Sequence, residues 1–187
     1  MQRFAGIAVT LEPMLDRTYD TQACSMARSL EVVGERWTLL ILRDIFLGIR
    51  KFEDLHRSLG VARNILQTRL ELLTKEGVVE KRPYQGGRYE YCLTSKCREL
   101  WPALMALLRW GDRHYAPYGR PRLIKHRDCG GEVTEHLTCG KCGKSLTLQD
   151  VYWEWGPGAK EWEKQQRRRA RRSSTTKAKA TSRKRAA

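Results

Sequence analysis

A chain of 187 residues holds one ordinary domain plus an appendage. Its formal net charge of +15 points to a polyanionic partner. No apolar run of about 18 residues is present, which excludes a membrane-spanning helix. The charge is uneven: Lys160 to Ala187 carries 12 Lys or Arg against two Glu, a net of +10 that leaves +5 for the first 159 residues. A DNA-binding role for the core must therefore rest on its motifs.

The opening stretch, Met1 to Thr10, has one basic residue and too short an apolar run for a signal peptide. The expected location is the cytoplasm, at the nucleoid, where the six cysteines stay reduced unless they bind metal or sense oxidants. No phosphate-cradling glycine loop, HExxH or dinucleotide fingerprint is present, and no enzymatic activity is expected.

Residues 1–18 read as a loose lead-in. Thr21 is a plausible N-cap for a first helix with Met26, Leu30 and Val33 on its apolar stripe, broken at Gly34-Glu35. Trp37, Leu40, Ile41 and Ile45 mark a second helix stopped by Gly48. Phe52, Leu55 and Leu59 mark a third, stopped by Gly60. Next comes the stretch Arg63–Gly77, which reads as an amphipathic helix ended by its glycine. Leu66, Leu70 and Leu73 form its inner stripe, and Arg63, Asn64, Gln67 and Thr68 project from the opposite face near its start.

Val78–Arg82, the turn Gln85-Gly86-Gly87 and Arg88–Leu93 then read as a hairpin. A tight turn between the third and fourth helices, followed by a basic hairpin, is the order of a winged helix-turn-helix. In that arrangement Arg63, Asn64, Gln67 and Thr68 reach base edges in the major groove, while Lys51, Arg82 and Arg88 lie against phosphate.

Thr94 caps a further helix that runs to about Tyr115, with a kink or break near Leu100-Trp101 because Pro102 lies within it. Leu100, Trp101, Leu104, Met105, Leu107, Leu108 and Trp110 cover more than one stripe. A small winged domain has no second layer to cover both sides, so the pattern predicts a partner subunit.

Pro117, Gly119 and Pro121 mark a linker, and residues 123–151 form a small cysteine module. Its potential ligands fall as His126-x2-Cys129-x9-Cys139-x2-Cys142, with glycine after Cys129 and Cys142. Ligand pairs two residues apart, each followed by glycine, build two knuckles able to close a tetrahedral zinc site. Three thiolates and an imidazole leave no open coordination position, so such a zinc is structural. A metal-free module and a Cys139–Cys142 redox pair are the alternatives. His136 competes with His126 for the fourth position, but only His126 gives Cys129 a knuckle partner. From Lys160 onward the chain is basic, low in complexity and expected to be disordered.

Cys24-Ser25-Met26-Ala27-Arg28-Ser29-Leu30-Glu31-Val32-Val33-Gly34-Glu35-Arg36-Trp37 resembles the signature of HxlR-type regulators, within the wider MarR-like winged-helix group. The likeness continues through Thr38–Asp44, Gly48–Leu55, Gly60–Leu66, Tyr89–Lys96 and Arg109–Arg113. Cys97 stands where the family usually has Gly, and Cys92 where a basic residue is more usual. The resemblance implies a homodimer joined through the first and last helices of the domain. It also implies control of transcription at a pseudo-palindromic operator in double-stranded DNA. In several members a cysteine at the position of Cys24 senses electrophiles or oxidants. Thr21 as N-cap would place Cys24 in the first helical turn, where the dipole favours a thiolate. The competing reading makes it a small buried hydrophobe.

The fold expected is mainly α with a small β-hairpin wing, joined to a zinc-ribbon-like module and a disordered basic tail. The boundaries are 1–18 lead-in, 19–116 winged helix-turn-helix, 117–159 linker and module, and 160–187 tail. The function expected is a homodimeric, sequence-specific transcriptional regulator. Repression is its favoured output, and a small-molecule or oxidant effector is open. The alternatives are an architectural, largely non-specific nucleic-acid binder and, behind it, a thiol oxidoreductase using the CxxC pair.

Overall fold

The computed structural model describes residues 19, 23–165, 167 and 168. The expectations for residues 1–18, for Thr21 as a cap and for residues 169–187 lie outside the described residues.

Helices α1 (Ser25–Val33), α2 (Thr38–Phe46), α3 (Phe52–Leu59) and α4 (Arg63–Lys75) come first. The hairpin β1 (Val79–Pro83) and β2 (Tyr89–Leu93) follows, then α5 (Ser95–Arg98) and α6 (Trp101–Tyr115). Leu66, Leu70 and Leu73 of α4 are fully buried with Ile41, Leu42 and Ile45 of α2 and Leu55 of α3. Gly60 ends α3 in the left-handed region at φ 62° and donates its N–H to the His56 carbonyl at 2.9 Å, a helix stop that L side chains adopt at a cost.

Strands β1 and β2 pair antiparallel, Val79 opposite Leu93 and Pro83 opposite Tyr89. Tyr91 and Leu93 face the core; on the hairpin's other face Glu90 is half-buried and Cys92 is buried. Lys51 bridges to Glu90 and adds a single rung at the hairpin's other edge.

The helix expected from Thr94 to Tyr115 is two helices. Thr94 caps α5, its Oγ1 accepting the Cys97 N–H at 3.3 Å. Pro102 then sits in the first turn of α6, where its missing N–H costs nothing and its fixed φ suits the helix.

Beyond α6, strands β3 (Arg122–His126) and β4 (Val151–Trp155) pair antiparallel and frame the cysteine module. The module supplies the second layer that a winged domain alone lacks. Trp101 and Met105 of α6 are buried in one cluster with Ile124, Val133, Cys139, Leu146 and Val151, while Leu100 and Leu104 pack on the first core. The broad apolar surface from which the sequence predicts a partner is therefore covered in part within the chain itself. Leu107 and Trp110 stay about half exposed, at 51% and 49%, as does Met26 of α1 at 67%.

Residues 159–165 are helical, and Trp162 packs edge-on against Tyr118 with ring centroids 6.4 Å apart. The expectation of disorder from residue 160 is thus replaced, over this first stretch, by a helix anchored through an aromatic contact. Among the described residues no helix is long and apolar enough to cross a membrane.

Candidate nucleic-acid interface and metal centre

The start of α4 is exposed from Ala62 to Ile65 and again at Gln67 and Thr68. Arg63 does not extend freely: its guanidinium forks onto Glu53 at 2.5 and 2.8 Å and lies 5.0 Å from the Phe52 ring centroid. The hydrogen bond from Arg63 lowers the Glu53 carboxyl and raises the guanidinium in return. Both are exposed, and such a pair is worth little in stability. It holds Arg63 against the first turn of α3.

Thr68 donates its hydroxyl to the Asn64 carbonyl at 2.9 Å, and Gln67 donates to the Glu71 carboxylate at 3.0 Å. Asn64 keeps its side-chain amide exposed and, among the described residues, without a partner. Ile65 is 38% exposed beside it. Sequence reasoning missed Ile65, since periodicity alone gives an apolar residue to the core; an exposed apolar side chain there can meet a thymine methyl.

Lys51 caps α3 without a side-chain bond, and its Nζ stands 4.8 Å from the Tyr84 ring centroid at the hairpin tip. Tyr84, also missed, joins the wing to the α3 start. Arg82 is paired with Glu80 on its own strand at 2.5 Å, which raises its guanidinium pKa. Arg88 is exposed and free of ion pairs among the described residues. Lys51 and Arg63 thus share the α3 start, with Asn64, Gln67 and Thr68 on the adjoining face of α4.

Cys24 is itself the N-cap of α1, in extended backbone at φ −140°, with an exposed side chain that makes no capping bond. It therefore lies one residue outside the helix, and not in the first turn. Its exposure removes the buried-hydrophobe reading. Cys97 is fully buried, and burial pushes its thiol up to about 12, so it is chemically inert.

His126, Cys129, Cys139 and Cys142 converge, with one ligand atom from each lying within 4.8 Å of all the others. His126 Nδ1 is 3.3 Å from Cys129 Sγ and 3.4 Å from Cys142 Sγ, and Cys129 Sγ is 3.3 Å from Cys139 Sγ. A tetrahedron with Zn–S of about 2.3 Å and Zn–N of about 2.0–2.1 Å has edges of about 3.5–3.8 Å, close to these three separations, so the four residues are placed to close on a zinc ion. His136 is outside the cluster.

The knuckles are built as their glycines require. Gly130 and Gly143 take φ of 68° and 74°. A side chain on Gly131 would strike Cys139 Sγ at 2.5 Å. Backbone amides of Cys142 and Lys141 aim at the Cys139 sulfur and hold its thiol at about 6, below the ordinary thiol value. Such donors favour thiolate, the form that binds metal. The His126 ring is almost wholly buried, and its Nε2 lies 3.2 Å from the Asp128 carboxylate, close enough to orient a ligating ring.

Several bonds tie this centre to the helical domain. Arg109 of α6 donates to the Val133 carbonyl, and Arg113 pairs with Glu135.

These features coincide with known proteins. The family model described as HxlR-like helix-turn-helix matches residues 32–118. An HTH-type transcriptional regulator of Mycobacterium tuberculosis is 41% identical over 78% of this chain and 94% of its own length. Another, from Synechocystis, is 31% identical over 48% of this chain and 68% of its own length. The crystal structure of PA1607, described as a candidate transcription factor, aligns at a TM-score of 0.57 with 39% identity. It covers 68% of this chain and 92% of that one. The chain belongs to the HxlR-like helix-turn-helix family and is a DNA-binding transcriptional regulator of that type.

Proposed function

We propose that the protein is a homodimeric, sequence-specific repressor that occupies a pseudo-palindromic operator and excludes transcription from it. The observation that carries this reading is the exposed start of α4. Asn64, Gln67 and Thr68 are presented together there, beside Lys51 and Arg63. Side-chain amides pair bidentately with adenine, and the flanking cations, with Arg82 and Arg88 of the hairpin, neutralise phosphate. The exposed apolar residues Leu107 and Trp110 of α6 and Met26 and Leu30 of α1 supply the subunit contact.

Zinc, held by His126, Cys129, Cys139 and Cys142, serves the fold and leaves no position open for a substrate. Cys24, exposed at a helix start, is the group through which an oxidant would act on this regulator in the cytoplasm. Selection of bound fragments from random DNA, followed by footprinting, tests the reading. Two inverted half-sites about one helical turn apart are expected, and footprints without a shared sequence would favour an architectural binder.

A further inference from the structure

We propose that the cleft between the base of the hairpin and the cysteine module binds a small organic anion with a flat apolar body. The cavity is about 440 Å³, within the range of about 300–1,000 Å³ typical of small-ligand sites. Arg50, Arg82 and Arg98 of the winged domain line one side and Arg127 of the module the other, and no carboxylate lines it. Among these four arginines only Arg82 is ion-paired, with Glu80 of its own strand. Arg127 gives its Nε proton to the Gln149 carbonyl at 3.1 Å and keeps the end of its fork for another acceptor. Four guanidinium groups gathered around one opening, three of them without an ion pair among the described residues, raise the potential inside it and draw in an anion.

The rest of the lining selects which anion. Phe46, Trp101, Tyr152 and Trp153 supply ring surfaces, with Ile124 and Val151 between them. Inorganic phosphate would leave those rings unused. A DNA duplex can touch the arginine rim but is too wide to enter a cavity of this size. An aromatic carboxylate satisfies both parts of the cleft, its ring on the tryptophans and its charge among the arginines.

Because Arg82 belongs to the cleft and also to the proposed phosphate contacts, the occupant and DNA compete for it. That coupling rests on the proposed role of the hairpin; the binding itself does not.

The test titrates 2-naphthoate and uncharged 2-naphthalenemethanol into the full-length protein by calorimetry. Naphthoate is expected to saturate at one molecule per chain. The alcohol should bind about tenfold more weakly or worse, as follows from losing one charge-assisted hydrogen bond. An Arg98→Ala, Arg127→Ala double variant changes only exposed side chains. It should keep its melting temperature and lose naphthoate affinity about tenfold. Equal binding of the two compounds, or unchanged naphthoate binding by the double variant, overturns the proposal. A double variant that instead loses DNA affinity without naphthoate, with a flatter salt dependence, overturns it in favour of a phosphate rim. Naphthoate binding that leaves DNA affinity unchanged supports the site and counts against Arg82 as a DNA contact.

Discussion

Trp153 in β4 donates its indole N–H to the carbonyl of Leu47, 106 residues earlier in the chain, at 3.1 Å. Leu47 is the C-cap of α2, and the last carbonyls of a helix have no partner inside it. The module therefore completes the helix on which the recognition unit is built. Trp153→Phe keeps the ring and deletes the donor. It should lower stability by about 0.5–1.5 kcal/mol, read as a drop in the thermal midpoint, and an unchanged midpoint would show the bond to be dispensable.

Metal loading should matter beyond the module. Cys139 is buried in the same cluster as Trp101 and Met105 of α6, so freeing the ligands loosens what covers that helix. Protein purified without added metal is expected to carry close to one zinc per chain, measured by atomic emission. The Cys139→Ser, Cys142→Ser variant should lose it, melt earlier and show red-shifted tryptophan emission. A metal-free wild type with an intact fold would instead favour the metal-free module.

Base reading should reside in Asn64 and Gln67. Alanine at either position is expected to cost about 1–3 kcal/mol on the operator and far less on random DNA. Anisotropy titrations on both DNAs decide it, and equal losses would remove α4 as the reader.

Leu107 is the position at which to break the proposed dimer. Leu104 packs on the winged core and Leu108 against the module, so charge there would damage the subunit itself. Leu107→Asp should give a folded monomer in sedimentation, because an unpaired charge in an apolar interface is strongly unfavourable. A monomeric wild type at micromolar concentration would end the idea.

The basic tail should add affinity without specificity. Arg167 and Arg168 open a cluster that continues, outside the described residues, through Arg169, Arg171 and Arg172. Each phosphate neutralised adds about 0.9 to the slope of log affinity against log salt. Truncation after Gln165 should flatten that slope and weaken all DNA alike. Loss of the operator preference on truncation would point to an architectural binder.

The order helix, turn, helix, hairpin was legible because it is written in local spacing. Leu66, Leu70 and Leu73 repeat at helical steps and are all fully buried, and Gly60 and Gly77 sit at positive φ where the helices stop. The convergence of His126, Cys129, Cys139 and Cys142 was legible for the same reason, since a knuckle is a few residues long and its glycines announce it. What spacing could not reach was any relation between distant segments. It left the coverage of α6 to a partner, because nothing in residues 101–115 tells which side another part of the chain will cover. It left Arg63 free, because its partner Glu53 lies ten residues away on another helix. It put Cys24 inside α1, because sequence patterns place a helix end only to within a residue or two. The arginine-lined cleft exists only where the hairpin base meets the module, and that meeting is set by the packing of Trp101, Met105 and Trp153. Periodicity reports which residues avoid water; tertiary packing decides what they meet when they do.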